Sequence, residues 1–115
     1  MKYLCLIYVD ENKLAALPPI ELEAFWSECA AYSLELASSG GLVCASLEPA
    51  AAAATLRRRK GKLCVTDGPF AETKEQLGGF ILVDAANLDA AITIAAKVPA
   101  ARLGSVEVRP VRNLR

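Results

Sequence analysis

The segment at residues 65–80, VTDGPFAETKEQLGGF, joins two apolar runs and holds the densest group of loop-forming residues in the chain. Pro69 fixes its own φ angle and restricts Gly68 to extended geometry. Asp67 can turn the chain by accepting hydrogen bonds from nearby backbone amides. The apolar runs before and after this segment are therefore expected to be strands joined by an ordered loop.

The same segment carries the spacing of a helix-capping motif. Thr73 and Gln76 lie three residues apart, which lets a hydroxyl and an amide cap the first turn of a helix. The spacing predicts a single helical turn over residues 74–77. Gly78 is placed to end that turn.

Outward from this loop, runs of apolar and β-branched residues predict strands. A hairpin over residues 55–66, with a tight turn at Lys60 and Gly61, precedes the loop. Residues 49–54 are expected to be a connector, because their alanine run is too short to favour a helix. The remaining predicted strands are 2–9, 42–48, 79–85 and 105–111.

Two amphipathic helices are predicted between the strands. Over residues 20–39 apolar side chains recur every three or four positions, and Gly40 is available for a left-handed cap. The second helix follows Asn87 as its N-cap and ends before Pro99. Residues 10–19 are expected to be a polar connector.

The order of these elements defines the expected architecture, a single domain over residues 1–115. With the hairpin set aside, the order is βαββαβ, a ferredoxin-like α+β fold with an additional hairpin strand. Apolar side chains occupy both alternating sets in residues 2–9, 63–65 and 80–83, so both sheet faces need cover. Two helices can cover only one face. The pattern therefore predicts a homodimer packed through its sheets.

Composition and charge exclude several classes of partner. Hydrophobic residues make up 54% of the chain and charged residues 23%, which is typical of a globular protein. Thirteen Lys and Arg residues balance thirteen Asp and Glu residues, so no global field favours nucleic acid or an acidic membrane. The basic run at residues 57–62 lacks interleaved aromatic residues and is expected to be a solvated hairpin tip.

The N-terminal apolar run ends at Val9, too short for a signal peptide or a membrane span, so a cytoplasmic location is expected.

The residue inventory also limits the chemistry. Histidine is absent, and the four cysteines lie far apart. Because zinc sites usually need clustered Cys and His ligands, neither a metal nor another cofactor is expected. The absence of histidine excludes Ser-His-Asp and Cys-His nucleophilic systems. Any acid–base chemistry would come from carboxylates, lysine, tyrosine or cysteine with shifted pKa values.

The best candidate catalytic cluster lies in the loop and consists of Asp67, Glu72, Lys74 and Glu75. In a small polar pocket, a carboxylate with a raised pKa could work beside the lysine. In the alternative interpretation the same residues only stabilise the turn through hydrogen bonds, and their charges face solvent. The residue spacing alone leaves both interpretations open.

A second group of candidates could bind a ligand. Glu107 and Arg109 share one face of the last predicted strand, where a guanidinium could hold a ligand carboxylate; the alternative is an internal salt bridge. Arg102 precedes this strand and either reaches the same region or stays solvated. Tyr8 could offer its hydroxyl to a ligand in a dimer cavity, or pack at an interface.

The segment VTDGPFAETKEQLGGF resembles the signature of the YCII-related family with its DGPF motif. The resemblance extends to KYLCLIY near the start and to NLDAAITIAAKVPAARLGSVEVRPV near the end, so it covers essentially the whole chain. It implies a dimeric α+β barrel, in which two ferredoxin-like subunits pack their sheets together. The chain departs from the family pattern in its second strand, which lacks a glycine, and at Arg58, where an apolar residue is usual. The histidine thought catalytic in other YCII-like branches is also missing.

Three functional hypotheses follow. The first is a protein that binds a small molecule in a cavity near the dimer interface. The second is an accessory or regulatory protein, which the resemblance implies because DGPF-domain proteins tend to occur beside or fused to extracytoplasmic-function sigma factors. The third is a small-molecule enzyme that uses carboxylate and lysine acid–base chemistry. Direct contact with nucleic acid or with a membrane is not expected.

Overall fold

Two β-sheets form the framework of the protein, whose computed structural model describes residues 1–113. The strands are β1 (Lys2–Val9), β2 (Gly41–Ser46), β3 (Ala54–Arg59), β4 (Lys62–Asp67), β5 (Gln76–Asp84) and β6 (Gly104–Pro110). Four of them form an antiparallel sheet in the spatial order β2-β5-β1-β6, and β3 and β4 form a separate hairpin sheet. With the hairpin set aside, this is the βαββαβ arrangement, so the predicted ferredoxin-like α+β fold is confirmed.

The helices connect the strands on one side of the large sheet. They are α1 (Glu11–Ala15), α2 (Pro19–Leu36) and α3 (Leu88–Ala95), together with two 3₁₀ turns at Ala50–Ala52 and Pro99–Leu103. The predicted N-cap of the last helix is confirmed, because Asn87 Oδ1 accepts a hydrogen bond from the Ala90 N–H at 2.9 Å. Within the described residues, no helix is long and apolar enough to cross a membrane.

Helix α1 corrects the expectation of a polar connector over residues 10–19. Asp10 begins this helix, since its Oδ1 accepts hydrogen bonds from the Asn12 N–H at 3.0 Å and the Lys13 N–H at 3.2 Å. The Asp10 residue is only 4% exposed, so its carboxylate replaces lost water contacts with these two amides. A helix of five residues is too short for hydrophobic periodicity to reveal it.

The hydrophobic core lies between the large sheet and the helices. Tyr3 and Cys5 of β1 are buried there with Ile81 and Val83 of β5, and α2 and α3 cover these side chains. Tyr32 joins the two helices, because its hydroxyl donates to the Ile94 carbonyl at 2.6 Å. This core fixes the C-terminal half of α2 and leaves its N-terminal half outside the central cluster.

The other face of the large sheet is apolar and has no helix over it. The strand register places Leu4 and Leu6 of β1 on this face, beside Leu82 and Phe80 of β5. All four side chains are half-buried, in contrast to the buried set on the helix side. We call this surface the open sheet face.

The loop before β5 differs from its prediction. The single helical turn expected over residues 74–77 is wrong, since β5 already begins at Gln76, which pairs with Val9. The capping residues instead fold the loop: Thr73 Oγ1 donates to the Glu75 carbonyl at 2.6 Å, and Gln76 Nε2 donates to the Thr73 carbonyl at 3.1 Å. Long-range strand pairing therefore replaces the predicted helical turn, and the two side chains donate to loop carbonyls instead of capping backbone N–H groups.

Two of the three described glycines with positive φ angles bear on the sequence predictions. Gly68 has a φ of 95°, so the expectation that Pro69 holds it in an extended conformation was wrong. Gly40 is left-handed, with a φ of 99°, but α2 ends earlier than predicted, at Leu36 with Ala37 as its C-cap, so Gly40 does not cap the helix. Just beyond it, the register of β2 against β5 shifts between Gly41 and Val43, in the strand whose sequence departs from the family pattern.

Candidate functional site

A cavity of about 590 Å³ lies between α2 and the helix-covered side of the large sheet; we call it the α2 cavity. Its helix wall includes Leu22, Phe25, Trp26 and Cys29 from the N-terminal half and middle of α2. Its opposite wall is formed by β1, β2 and β5, with the lining side chains Ile7, Cys44 and Ile81. The lining continues along α2 to Tyr32 and Leu36, which also belong to the core cluster, so the cavity adjoins the core.

Aromatic packing and two glycines shape this space. The rings of Phe25 and Trp26 meet edge to face with centroids 5.3 Å apart, and Trp26 remains 47% exposed. Gly78 and Gly79 of β5 line the cavity without side chains. A Cβ at Gly79 would lie 2.7 Å from the Ala45 carbonyl oxygen, so close approach of β2 requires glycine there.

Few polar groups border the α2 cavity. Glu11 contributes a carboxylate whose Oε2 accepts a hydrogen bond from the Ala50 N–H at 2.8 Å, and Glu48 contributes a second, exposed carboxylate. Burial raises the pKa of the half-buried Cys29 thiol, with Glu28 adding to the increase and Arg102 opposing it. Burial also raises the pKa of Tyr32 to about 12, so its hydroxyl stays a donor to Ile94 at neutral pH.

The residues of the predicted catalytic cluster lie away from this cavity. Asp67, Glu72 and Lys74 are exposed on the loop, and none of the four lines the cavity. Glu75 is half-buried, and its Oε1 accepts a hydrogen bond from Ser105 Oγ at 2.8 Å. The structure therefore does not gather these side chains into one concave site.

Three of the four predicted ligand-binding residues do come together. Tyr8 donates its hydroxyl to Glu107 Oε1 at 3.5 Å, and Arg109 Nε donates to Glu107 Oε2 at 3.0 Å. The register against β1 places these residues on the open sheet face. Arg102 lies elsewhere, where its Nη1 pairs with Glu28 Oε2 at 2.9 Å. Glu107 and Arg109 thus form an internal salt bridge, which is the alternative that the sequence left open for this pair. Arg102 does not reach the same region.

The family model for the YCII-related domain matches residues 1–115. The chain belongs to the YCII-related family. This confirms the resemblance carried by the DGPF segment. An uncharacterized protein of Rhizobium meliloti (strain 1021) is 44% identical over 114 residues, which cover 96% of this chain and 92% of that protein.

A solved structure supports the fold of this YCII-related protein. The chain is similar to 5-chloro-2-hydroxyhydroquinone dehydrochlorinase (TftG) from Burkholderia phenoliruptrix AC1100, solved in complex with 2,5-dihydroxybenzoquinone. The TM-score is 0.56 at 15% sequence identity, and the match covers 98% of this chain and 95% of that one. At this identity the likeness establishes the shared α+β fold.

Sequence reasoning missed the site of this YCII-related protein because its lining residues had another expected role. Phe25 and Trp26 lie on the apolar face of α2, and the apolar face of an amphipathic helix ordinarily packs against the core. Periodicity identifies such a face but does not show whether the space beneath it is filled. A usable signal was present in Gly78 and Gly79, which leave β5 without side chains opposite two large aromatic residues.

Among residues 1–113, no group of three or more metal-binding side chains is assembled.

Proposed function

We propose that this YCII-related protein binds a small, largely apolar organic molecule in the α2 cavity. The observation that carries the proposal is the cavity itself: about 590 Å³ lies within the usual range for small-molecule sites. Its walls are aliphatic and aromatic, with a few polar groups at their border. An apolar ligand would displace water that finds few hydrogen-bond partners there, which favours binding.

The proposal places the site within each protomer and not at a dimer interface. The α2 cavity opens on the helix side of the large sheet, whereas the surface expected to pair in a dimer is the open sheet face. Acid–base chemistry by the loop cluster has less support, because Asp67, Glu72 and Lys74 are exposed and line no cavity. Ligand binding is a requirement that the enzyme and the regulatory hypotheses share, so a binding test addresses both.

A homodimer is part of the same proposal. A globular monomer of 12.2 kDa is expected to expose about 6,000 Å², whereas this chain exposes 8039 Å². The excess of roughly 2,000 Å² is larger than the ~800 Å² that each partner buries in a standard interface. The open sheet face, with Leu4, Leu6, Phe80 and Leu82, is the apolar surface that a second copy would cover.

Two cysteines allow binding to be tested with an internal control. Cys44 lines the α2 cavity, and Cys64 is exposed on β4 of the hairpin, away from it. Alkylation of each thiol by iodoacetamide can be followed by peptide mass spectrometry as n-octanol is added. Occupancy of the cavity is expected to slow alkylation of Cys44 in proportion to the fraction of protein bound, while Cys64 reacts at an unchanged rate. Equal rates at Cys44 with and without saturating n-octanol would refute the proposed site.

The single tryptophan provides an independent reading of the same event. Trp26 lines the cavity, and the chain has no other tryptophan. Its fluorescence is expected to change with n-octanol along the same saturation curve as the Cys44 protection. Two curves with different midpoints would show that the thiol and the indole report separate events, which also contradicts binding in one cavity.

A further inference from the structure

The charged residues of the α2 cavity all carry the same sign. Glu11 and Glu48 are the charged side chains in its lining, and within the described residues no lysine or arginine borders it. The rest of the lining is apolar, or carries neutral groups such as the Cys29 thiol and the Ser33 hydroxyl. A ligand in this space therefore meets a negative potential at the border and apolar walls elsewhere.

Glu11 is held in position by two separate elements. Its backbone lies in the first turn of α1, which Asp10 caps, and its Oε2 accepts the Ala50 N–H from the 3₁₀ turn at 2.8 Å. The second carboxylate oxygen, Oε1, has no hydrogen-bond partner among residues 1–113. A preorganised carboxylate with one oxygen available can accept a hydrogen bond from a ligand without first being reoriented.

Glu48 brings a second carboxylate to the same border. It lies two residues before Ala50, whose N–H donates to Glu11, and it lines the same cavity. The chain before Glu48 is anchored to β5, because the Leu47 N–H donates to the Gly78 carbonyl at 2.9 Å. Two carboxylates from different parts of the chain thus line the cavity.

Nearby cations do not cancel this charge at the cavity. Arg102 pairs with Glu28 at 2.9 Å and is not part of the lining. Lys13 lies in the last turn of α1, is exposed, and is not part of the lining either. A ligand anion at the border would therefore be repelled by both glutamates, and a cation would be attracted by both.

We propose that the α2 cavity selects ligands with an apolar body and a protonated amine or other cationic head group, and discriminates against carboxylates. This inference rests on the proposed function, because it assigns a chemical class to the ligand of that same cavity. The apolar walls hold the body of the ligand. Glu11 and Glu48 receive its head group.

Three compounds with the same alkyl chain separate charge from shape: n-octylamine, n-octanol and n-octanoate. Their dissociation constants can be measured at neutral pH by titration of Trp26 fluorescence. Each partly exposed glutamate is expected to change the ratio between the affinities for the amine and for the carboxylate by about fivefold. The amine should therefore bind most tightly, the alcohol less tightly and the carboxylate most weakly, with a ratio between amine and carboxylate of at least about 25-fold.

The Glu11→Gln/Glu48→Gln double variant tests whether these carboxylates cause the selectivity. A glutamine at position 11 retains an oxygen that can accept the Ala50 N–H, so the local fold is preserved. In this variant the ratio between amine and carboxylate is expected to fall to about twofold or less. The matched control, Glu21→Gln/Glu35→Gln, removes two exposed charges of α2 that do not line the cavity, and should retain the full ratio.

The outcomes distinguish the two proposals. If none of the three compounds changes Trp26 fluorescence or protects Cys44, cavity binding fails, and the selectivity fails with it. If n-octanoate binds as tightly as n-octylamine, or tighter, the inferred selectivity is overturned while cavity binding stands. An unchanged ratio in the Glu11/Glu48 variant, or an equal loss in the control variant, also overturns the assignment to these two carboxylates.

Discussion

At the scale of single residues, Tyr32 connects the core to both long helices. Its ring is buried in the core, and its hydroxyl donates to the Ile94 carbonyl, which links α2 to α3. Burial is the main cause of its raised pKa, with Cys5 and Glu35 contributing in the same direction. The neutral phenol is therefore the form that the folded state favours.

Removing this hydroxyl should lower stability and change its dependence on pH. A Tyr32→Phe variant is expected to lose about 1–2 kcal/mol of unfolding free energy at pH 7, because the Ile94 carbonyl loses its donor. The folded pKa of about 12 exceeds the ordinary value of 10.0, so the unfolded chain releases its proton first as pH rises. Wild-type stability should consequently fall between pH 10 and 12, and the variant should lose less over that range.

Urea unfolding at pH 7 and at several values between pH 10 and 12 checks this prediction. Tyr8→Phe serves as a control, because it keeps Tyr32 and should retain the alkaline loss. If Tyr32→Phe loses as much stability at high pH as the wild type, another group causes the loss.

At the scale of elements, α2 presents two functionally different faces. One face supplies Phe25 and Cys29 to the cavity wall, and the opposite face is solvated, with Leu34 79% exposed. Only the inward face should influence binding. Substitutions of equal size on the two faces therefore separate an effect on the cavity from an effect on the helix.

Filling the cavity from α2 should abolish binding without unfolding the protein. Cys29→Phe is expected to weaken n-octanol binding by at least about tenfold, or about 1.4 kcal/mol, because the added ring occupies ligand space. Ala31→Phe, at an exposed position that does not line the cavity, should bind n-octanol like the wild type. Tryptophan titration and urea unfolding of both variants give the comparison, and wild-type affinity in Cys29→Phe would contradict the assigned wall.

The elements also show which parts of the structure were predictable from sequence. The α2 and α3 helices and the hairpin turn at Lys60 and Gly61 follow from local periodicity, caps and turn residues, so they were predicted. The start of β5 at Gln76 depends on pairing with Val9, a contact that local capping signals cannot reveal. The same limit applies to the site, since the α2 cavity is a separation between distant elements and not a residue pattern.

At the scale of the whole molecule, the chain is flat and exposes apolar surface. Its principal extents are 46 × 46 × 19 Å, and among residues 1–113 the strands of the hairpin sheet pair only with each other. Register places Leu56, Leu63 and Val65 on one face of that hairpin, all more than half exposed. Together with the open sheet face, this surface favours association with a second copy.

Sedimentation equilibrium tests the homodimer. The wild type is expected to sediment at twice 12.2 kDa, and Leu6→Glu at 12.2 kDa, because a carboxylate at this position would lie opposite Glu107 and lose its hydration in the interface. Leu34→Glu introduces the same charge on the exposed face of α2 and should remain dimeric. A monomeric wild type at micromolar concentration, or a dimeric Leu6→Glu variant, would contradict packing through this face.

The central position of β1 has a consequence for how the chain reaches its native state. β1 precedes every other strand in the chain, yet Tyr3 pairs with Val83 on one side and with Pro110 on the other. During synthesis this apolar strand is therefore unpaired until β5 has been translated, and the sheet is incomplete until β6 has been translated. Strand pairing between residues so distant in sequence slows folding and exposes apolar surface in the intermediates. β1 is therefore the segment expected to stay exposed longest on the nascent chain.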